Sequence, residues 1–155
     1  MPPAAIHLSE GMVRAFLALS LSCIALQAQS AFFDLQSYPD SPVTLEKCSP
    51  TIFRSEGKRR QFVTVKNASG KAAAVLLFQQ TIPNESRSEI ITLERVSLVL
   101  GPHETRRLSV NVEDVWNRLQ SAARSRSAPH RPALSIVAVE FLDGSTWSAP
   151  VEGHR

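Results

Sequence analysis

The sequence predicts an all-β fold: a single antiparallel sandwich of about seven strands, with one short helix in a connection. Runs of alternating apolar and polar residues recur between residues 43 and 151, and this period is typical of half-buried strands. Segments containing Gly, Pro, Asn, Asp or Ser separate the runs at the spacing of antiparallel sandwiches. Only residues 113–126 show a helical period instead.

Residues 1–30 are predicted to be a secretory signal peptide. Arg14 precedes an apolar run of about a dozen residues, and Ala28 and Ser30 give the small-residue pattern of a cleavage site. The run is shorter than the roughly 20 apolar residues that cross a bilayer. We therefore expect residues 31–155 to be a β-sandwich domain exported to the periplasm or the medium. An uncleaved N-terminal anchor is the alternative, and either Met1 or Met12 can be the true start.

The first strands are short and bounded by prolines. Residues 31–40 either add an edge strand or tether the new N-terminus. Val43–Cys48 alternates well enough for a strand, and Ser49-Pro50 is predicted to end it because proline cannot donate to a β-ladder. Residues 54–60 then read as a polar connection that holds four basic residues.

The strongest strand signal lies in residues 60–78. Val63 and Val65 point to one face, and Phe62, Thr64 and Lys66 point to the other. Residues 67–70 have turn chemistry, and a nearly continuous apolar run follows from Ala72 to Thr81. We interpret this stretch as a hairpin that seeds the sandwich.

The second half predicts four further strand regions and the helix. Residues 89–100 form one strand or two with a bulge, because Ile91 and Leu93 share a parity that Val96, Leu98 and Leu100 do not. In residues 106–112, Leu108, Val110 and Val112 face the core. The final strands, residues 134–141 and 146–151, flank an Asp143-Gly144 hairpin turn.

The helix is predicted over residues 113–126. Val115, Trp116, Leu119, Ala122 and Ala123 form one apolar face, with acids at the start and Arg124 and Arg126 at the end, which suits the helix dipole. We expect Trp116 to close the open end of the sandwich.

Two turns carry a resemblance to a known class of modules. Both resemble turns of immunoglobulin-like modules in exported bacterial proteins. The first is Val63-Thr64-Val65-Lys66-Asn67 followed by Gly70, and the second is Leu100-Gly101-Pro102-His103-Glu104-Thr105. His103 stands where those modules usually have glycine. Residues 139–147 also resemble the ending of uncharacterised secreted bacterial proteins. The resemblance implies an immunoglobulin-like sandwich and an exported setting, and it brings no catalytic residues.

The charge balance limits the classes of partner. The net charge is +3, and removal of residues 1–30 takes away one base, Arg14, and one acid, Glu10, so it stays +3. This mild excess predicts solubility and no nucleic-acid partner. Two basic segments are a candidate surface for a protein partner, and a solvated face is their alternative interpretation. The candidate surface consists of Arg54, Lys58, Arg59, Arg60, Arg118, Arg124, Arg126 and Arg131.

No arrangement of residues indicates catalysis. After removal of the signal Cys48 is the one remaining cysteine, so no internal disulfide can form, and His103, His130 and His154 are isolated from one another. We expect no cofactor, no metal and no enzyme activity. The sequence thus favours a binding or accessory module of the cell envelope. The alternatives are a structural subunit that stacks on a partner domain and a small hydrolase or metal-dependent enzyme.

Overall fold

The computed structural model describes residues 32–83, 88–125 and 131–150. The predicted signal peptide lies outside these residues, and so do Arg126 and His130. Eight strands and one helix are found in the described chain. They are β1 (Asp34–Gln36), β2 (Val43–Ser55), β3 (Lys58–Asn67), β4 (Ala73–Ile82), β5 (Glu89–Leu100), β6 (Thr105–Asn111), α1 (Glu113–Arg124), β7 (Ala133–Phe141) and β8 (Thr146–Ser148).

The strands form two sheets, which confirms the all-β prediction with one helix in a connection. The larger sheet has the order β1-β7-β4-β5, and β8 pairs with β7. The smaller sheet has the order β2-β3-β6. All pairs are antiparallel except β1 with β7, which is parallel. Residues 34–36 form the short edge strand β1, so of the two alternatives for residues 31–40 the edge strand is the one observed.

Both sheets contribute to one hydrophobic core. Most of the strands that the alternation predicts place their apolar side chains in this core, since one face of each sheet must leave water. The buried apolar side chains that contact one another in this core are Phe33, Val43, Leu45, Val63, Val65, Ala73, Leu76, Phe78, Leu100, Val110, Val112, Val115, Leu134, Ile136, Val139 and Phe141.

The predicted hairpin between residues 60 and 78 is wrong in its pairing, although both of its strands exist. β3 pairs with β2 and β6, whereas β4 pairs with β5 and β7, so residues 68–72 cross from one sheet to the other. Asn67 explains the crossing. Its buried Nδ2 donates to the carbonyl oxygens of Lys71 (2.7 Å), Gly101 (3.0 Å) and Leu100 (3.2 Å). These bonds hold the connection against the end of β5 in the other sheet.

Pro50 does not end the first long strand, contrary to prediction. β2 runs to Ser55, and its pairing with β3 shifts register between Cys48 and Ile52. Proline is tolerated there because β2 is an edge strand and the position lies in a bulge. The buried Gln61 supports the bulge by donating from Nε2 to the carbonyl oxygen of Ser49 at 2.5 Å.

The predicted polar connection over residues 54–60 is instead a tight hairpin. Ser55 pairs with Lys58, and the two residues between them have positive φ angles, 52° at Glu56 and 75° at Gly57. Two positive φ angles are typical of a type I′ turn, which matches the twist of paired strands. The basic residues therefore lie on strands and not in a loop.

The predicted parity change in residues 89–100 is present within a single strand. β5 shifts register against β4 around Ile91, because Ile90 pairs with Thr81 whereas Thr92 pairs with Gln80. Ile91 consequently packs against the core together with Val96 and Leu98. Leu93 does not share the face of Ile91 and is 55% exposed.

Helix α1 begins where predicted and ends at Arg124, two residues earlier than predicted. Asn111 Oδ1 accepts the N–H of Glu113 at 3.0 Å at its start. Val115 is the buried residue of the apolar face. Trp116 is half-buried and lies against Phe32 and Arg59, with ring centroids 6.2 Å apart for Phe32.

The remaining predicted strands are confirmed where the chain is described. Val110 and Val112 are buried and Leu108 packs against the core, and β7 and β8 form a hairpin around Gly144, whose φ is 83°. Among the described helices none is long and apolar enough to cross a membrane.

Candidate binding surface

The outer face of the smaller sheet gathers cations from all three of its strands. Side chains of directly paired residues point to the same face of a sheet, so the register assigns this face. Thr64 pairs with Lys47 on one side and with Arg107 on the other, and Lys66 pairs with Thr44 and Thr105. Further along, Arg60 pairs with Phe53 and Asn111, and Phe62 pairs with Ser109.

These eleven residues include the four bases Lys47, Arg60, Lys66 and Arg107, and they include no acid. We call this surface the basic aromatic face. Threonine, serine and asparagine fill the remaining positions beside its two phenylalanines. Two carboxylates lie close by, since Glu94 is 3.6 Å from Arg60 and the exposed Glu46 lies in the register shift beside Lys47. The cations still outnumber the anions there, and such an excess attracts negatively charged groups.

Two phenylalanines lie on this face, outside the core. The rings of Phe53 and Phe62 are stacked, with centroids 4.5 Å apart and an interplanar angle of 21°. The guanidinium carbon of Arg107 lies 3.9 Å from the centroid of Phe62, which is a cation–π contact. The two rings and the guanidinium thus form a half-buried apolar platform with a positive charge upon it.

The alternation in β3 predicts part of this face, because Phe62, Thr64 and Lys66 point away from Val63 and Val65 as expected. Sequence reasoning missed Lys47, Phe53 and Arg107. The bulge at Pro50 moves Phe53 to the same face as Phe62, and the β3–β6 pairing brings in Arg107 from 45 residues away in the chain. Neither follows from the local pattern.

The candidate surface residues predicted from the two basic segments are separated by the fold. Arg54, Lys58, Arg59 and Arg60 lie at the β2–β3 hairpin, whereas Arg118 and Arg124 lie on α1 and Arg131 precedes β7. Arg126 lies outside the described residues. Of the predicted residues, Arg60 belongs to the basic aromatic face, and Lys58, which pairs with Ser55, points to the same side of β3.

Several of these cations are ion-paired within the chain. Arg59 Nη1 lies 2.6 Å from Glu113 Oε1, and Arg118 Nη2 lies 3.2 Å from Glu89 Oε2. Arg131 Nη1 lies 2.9 Å from Asp34 Oδ1. Such pairs reduce the positive potential that the two segments present, so they weaken the case for a patch built from both.

Arg60 connects the basic aromatic face to β5. Its Nε and Nη2 donate to Ser109, and its Nη2 lies 3.6 Å from Glu94 Oε1. Glu94 also accepts the N–H of Asn111 through Oε2 at 2.8 Å. Burial raises the pKa of Glu94, against the opposing effects of the Asn111 N–H and of Arg60. Glu94 therefore links the neighbouring edges of the two sheets.

The side chains that sequence reasoning considered for chemistry have separate surroundings. His103 is exposed in the β5–β6 turn, Trp116 lies beside Arg59, and Trp147 packs near Tyr38 and donates from Nε1 to Asp40 at 3.3 Å. Burial raises the pKa of the half-buried Cys48 thiol, which makes it a weaker nucleophile at neutral pH. Within the described ranges no three His, Cys, Asp or Glu side chains are grouped so that they could hold a metal ion.

Comparisons with protein-family models, with curated proteins and with solved structures found no match to this chain.

Proposed function

We propose that this protein is an exported, non-catalytic binding module with an immunoglobulin-like sandwich. Its basic aromatic face binds an acidic segment of a protein partner in the cell envelope. The observation that carries the proposal is the composition of that face: an excess of cations, and two phenylalanines stacked outside the core.

Energetic considerations favour a binding role for this platform. Phe53 and Phe62 expose part of their rings although the core offers apolar surroundings, and aromatic and arginine side chains are the residue types that dominate interface energetics. The cations around them supply long-range attraction and a preference for acidic partners. Together they suit a segment that alternates acidic and apolar side chains.

A protein partner suits this face better than a nucleic acid does. The two phenylalanine rings stack on each other, and Arg107 lies over Phe62, so ring faces on which bases would stack already contact groups of the chain. The net charge of +3 is also small for tracking a phosphate backbone.

Binding of a labelled acidic peptide tests the proposal. The probe is a fluorescein-labelled peptide that alternates glutamate and phenylalanine, and a peptide in which lysine replaces glutamate is its control. We expect the acidic peptide to bind and added salt to weaken it, because exposed charges are screened. Phe62→Ala should weaken binding about tenfold or more.

Charge-matched variants locate the site. Arg107→Gln and Lys66→Gln each remove one positive charge from the face and should weaken binding about two- to fivefold. Ser148→Glu changes the net charge equally but lies on β8 of the larger sheet, and it should leave binding unchanged. Equal weakening by all three, or stronger binding of an oligothymidylate than of the acidic peptide, would contradict the proposal.

Export has a separate test. Mature protein recovered from the source cell's envelope or medium should begin at Ala31 in N-terminal sequencing, since cleavage is expected after Ser30. A chain that retains its first thirty residues would support the anchored alternative.

A further inference from the structure

A second surface of the molecule exposes large apolar side chains along a sheet edge. In the described chain four large hydrophobic residues are exposed, and three of them belong to β5: Ile90 (57%), Leu93 (55%) and Val99 (57%). β5 is the last strand of the larger sheet as described, so no strand is seen to pair with its outer edge there. An edge of 12 residues with exposed apolar side chains invites another strand.

The register identifies which β5 side chains face outward. Leu93 pairs with Gln79, Arg95 with Leu77, and Ser97 with Val75, all on the face of the larger sheet that points away from the core. Val99 is also exposed and continues this row past a register shift against β4 between Ser97 and Leu100. The outward row therefore reads Leu93, Arg95, Ser97, Val99, with one charge.

That charge is already balanced within the chain. Arg95 Nη2 reaches across β4 and lies 2.9 Å from Glu140 Oε2 on β7. The edge consequently has no net charge in its outward row to repel an approaching strand, and lysine and proline, which often protect edges, are missing from β5. The inward Glu94 is engaged within the chain by Arg60 and the Asn111 N–H.

We infer that the occupant of this edge is a second copy of the chain, paired antiparallel through β5 about a two-fold axis at Val96. In this register Leu93 lies opposite Val99 of the second copy, and Val99 lies opposite Leu93. Arg95 lies opposite Ser97, so the two guanidinium groups do not face each other. Apolar side chains of one copy thus contact apolar side chains of the other, and each Arg95 guanidinium lies beside the Ser97 hydroxyl of the other copy.

The neighbouring registers do not give this match. An axis at Arg95 puts Arg95 against its own copy, and like charges directly opposite are destabilising. An axis at Ser97 puts Leu93 opposite residue 101, beyond the end of β5. The pattern of the strand thus complements itself in one register.

A two-fold pair also limits how many copies can add to this edge. Pairing β5 with its own copy covers both exposed edges at once and leaves no further copy to add, because the contact is closed by symmetry. The interface uses the larger sheet, so it leaves the basic aromatic face free for a partner.

The mass of the full-length chain in solution tests the inference. Light scattering on the purified protein at micromolar concentration should give twice the chain mass. Leu93→Lys combined with Val99→Lys should raise the dissociation constant at least about a hundredfold, since two apolar contacts are lost. Thr64→Lys, on the smaller sheet, should leave the mass unchanged. All variants should keep the circular dichroism of the parent.

Cysteine pairs test the register, in a background where Cys23 and Cys48 are serine. Leu93→Cys with Val99→Cys should give a disulfide-linked dimer, because opposite side chains lie within bonding range. Each single variant should not, since its own copy lies roughly 20 Å away along the strand. A monomeric parent, a dimer that survives the double lysine change, or crosslinking by Arg95→Cys alone would overturn the inference.

Discussion

The buried amide of Asn67 donates to the carbonyl oxygen of Leu100 at 3.2 Å, which joins the last residue of β3 to the last residue of β5 in the other sheet. The same Nδ2 serves Gly101 and Lys71, and Oδ1 accepts from the N–H and the hydroxyl of Ser69. One side chain therefore hydrogen-bonds both to the connection between the sheets and to the turn that follows β5.

Replacing Asn67 with Asp should destabilise the fold by at least about 3 kcal/mol. The carboxylate places a buried charge against carbonyl oxygens that lose their donor. Chemical denaturation measures the loss. Ser69→Ala, which removes one hydroxyl bond to Asn67, is the matched control and should cost about 1 kcal/mol. If the two variants are equally stable, Asn67 does not join the sheets as described.

Replacing Val65 with Asp should abolish cooperative unfolding at 25 °C. Val65 is 0% exposed and pairs with Leu45, so the change buries an unpaired charge in the core. Lys66→Asp at the exposed neighbour is the control and should still give a normal melting curve. A Val65→Asp variant that melts like the parent would show that the register of β3 is wrong.

Replacing His103 with Gly should stabilise the protein by about 0.5–1 kcal/mol. The φ angle of His103 is 59°, a left-handed conformation that costs a residue with a side chain about 1–2 kcal/mol. Glycine removes this cost, but it also raises the conformational entropy of the unfolded chain, which offsets part of the stabilisation. Thr105→Gly, two residues on in β6, should instead lower the midpoint of thermal unfolding. A lower midpoint for His103→Gly would mean that the imidazole has a contact that matters more than the backbone.

The β7–β8 turn should lose part of its stability in acid. The hydroxyl of Ser145, then Lys71 and the Ser145 N–H, lower the pKa of Asp143 from 3.8 to about 2. Because the folded-state pKa is depressed, this contribution is complete above pH 3.8 and is lost as the pH falls through about 2.

Asp143→Asn isolates that effect. The stability difference between parent and variant should be constant at higher pH and should shrink as the pH falls from 3.8 to about 2, measured by denaturation at a series of pH values. If the unfolding free energies of parent and variant changed in parallel across that pH range, Ser145 and Lys71 would not lower the pKa of Asp143.

Strand positions were predictable from the sequence because each burial pattern is local. Val63 and Val65 face the core, and Asp143-Gly144 makes a hairpin, since alternation and turn chemistry involve near neighbours. Strand pairing was less predictable. Asn67 directs the chain into the other sheet through contacts with residues 100 and 101, which no local pattern reveals.

The candidate site illustrates the same limit. The sequence indicates cations at residues 58–60, yet the side chains beside Arg60 on the basic aromatic face come from three strands. Arg107 joins Phe62 through the β3–β6 ladder, and Phe53 joins it through the bulge at Pro50. A proline usually indicates a strand end, but it is tolerated inside an edge strand, so the predicted end at Pro50 was wrong.

The parallel pairing of β1 with β7 determines the order in which the chain can close. The N–H of Asp34 donates to the carbonyl oxygen of Pro132 at 2.9 Å, so the first described strand binds the beginning of the last long one. Synthesis delivers the chain from its N-terminus, and contacts between distant residues form slowly. We therefore expect Phe33 to reach its place in the core only after residues 133–135 have been synthesised. Under the proposed export of an unfolded chain, the larger sheet would stay incomplete until residues 133–135 are available to pair with β1.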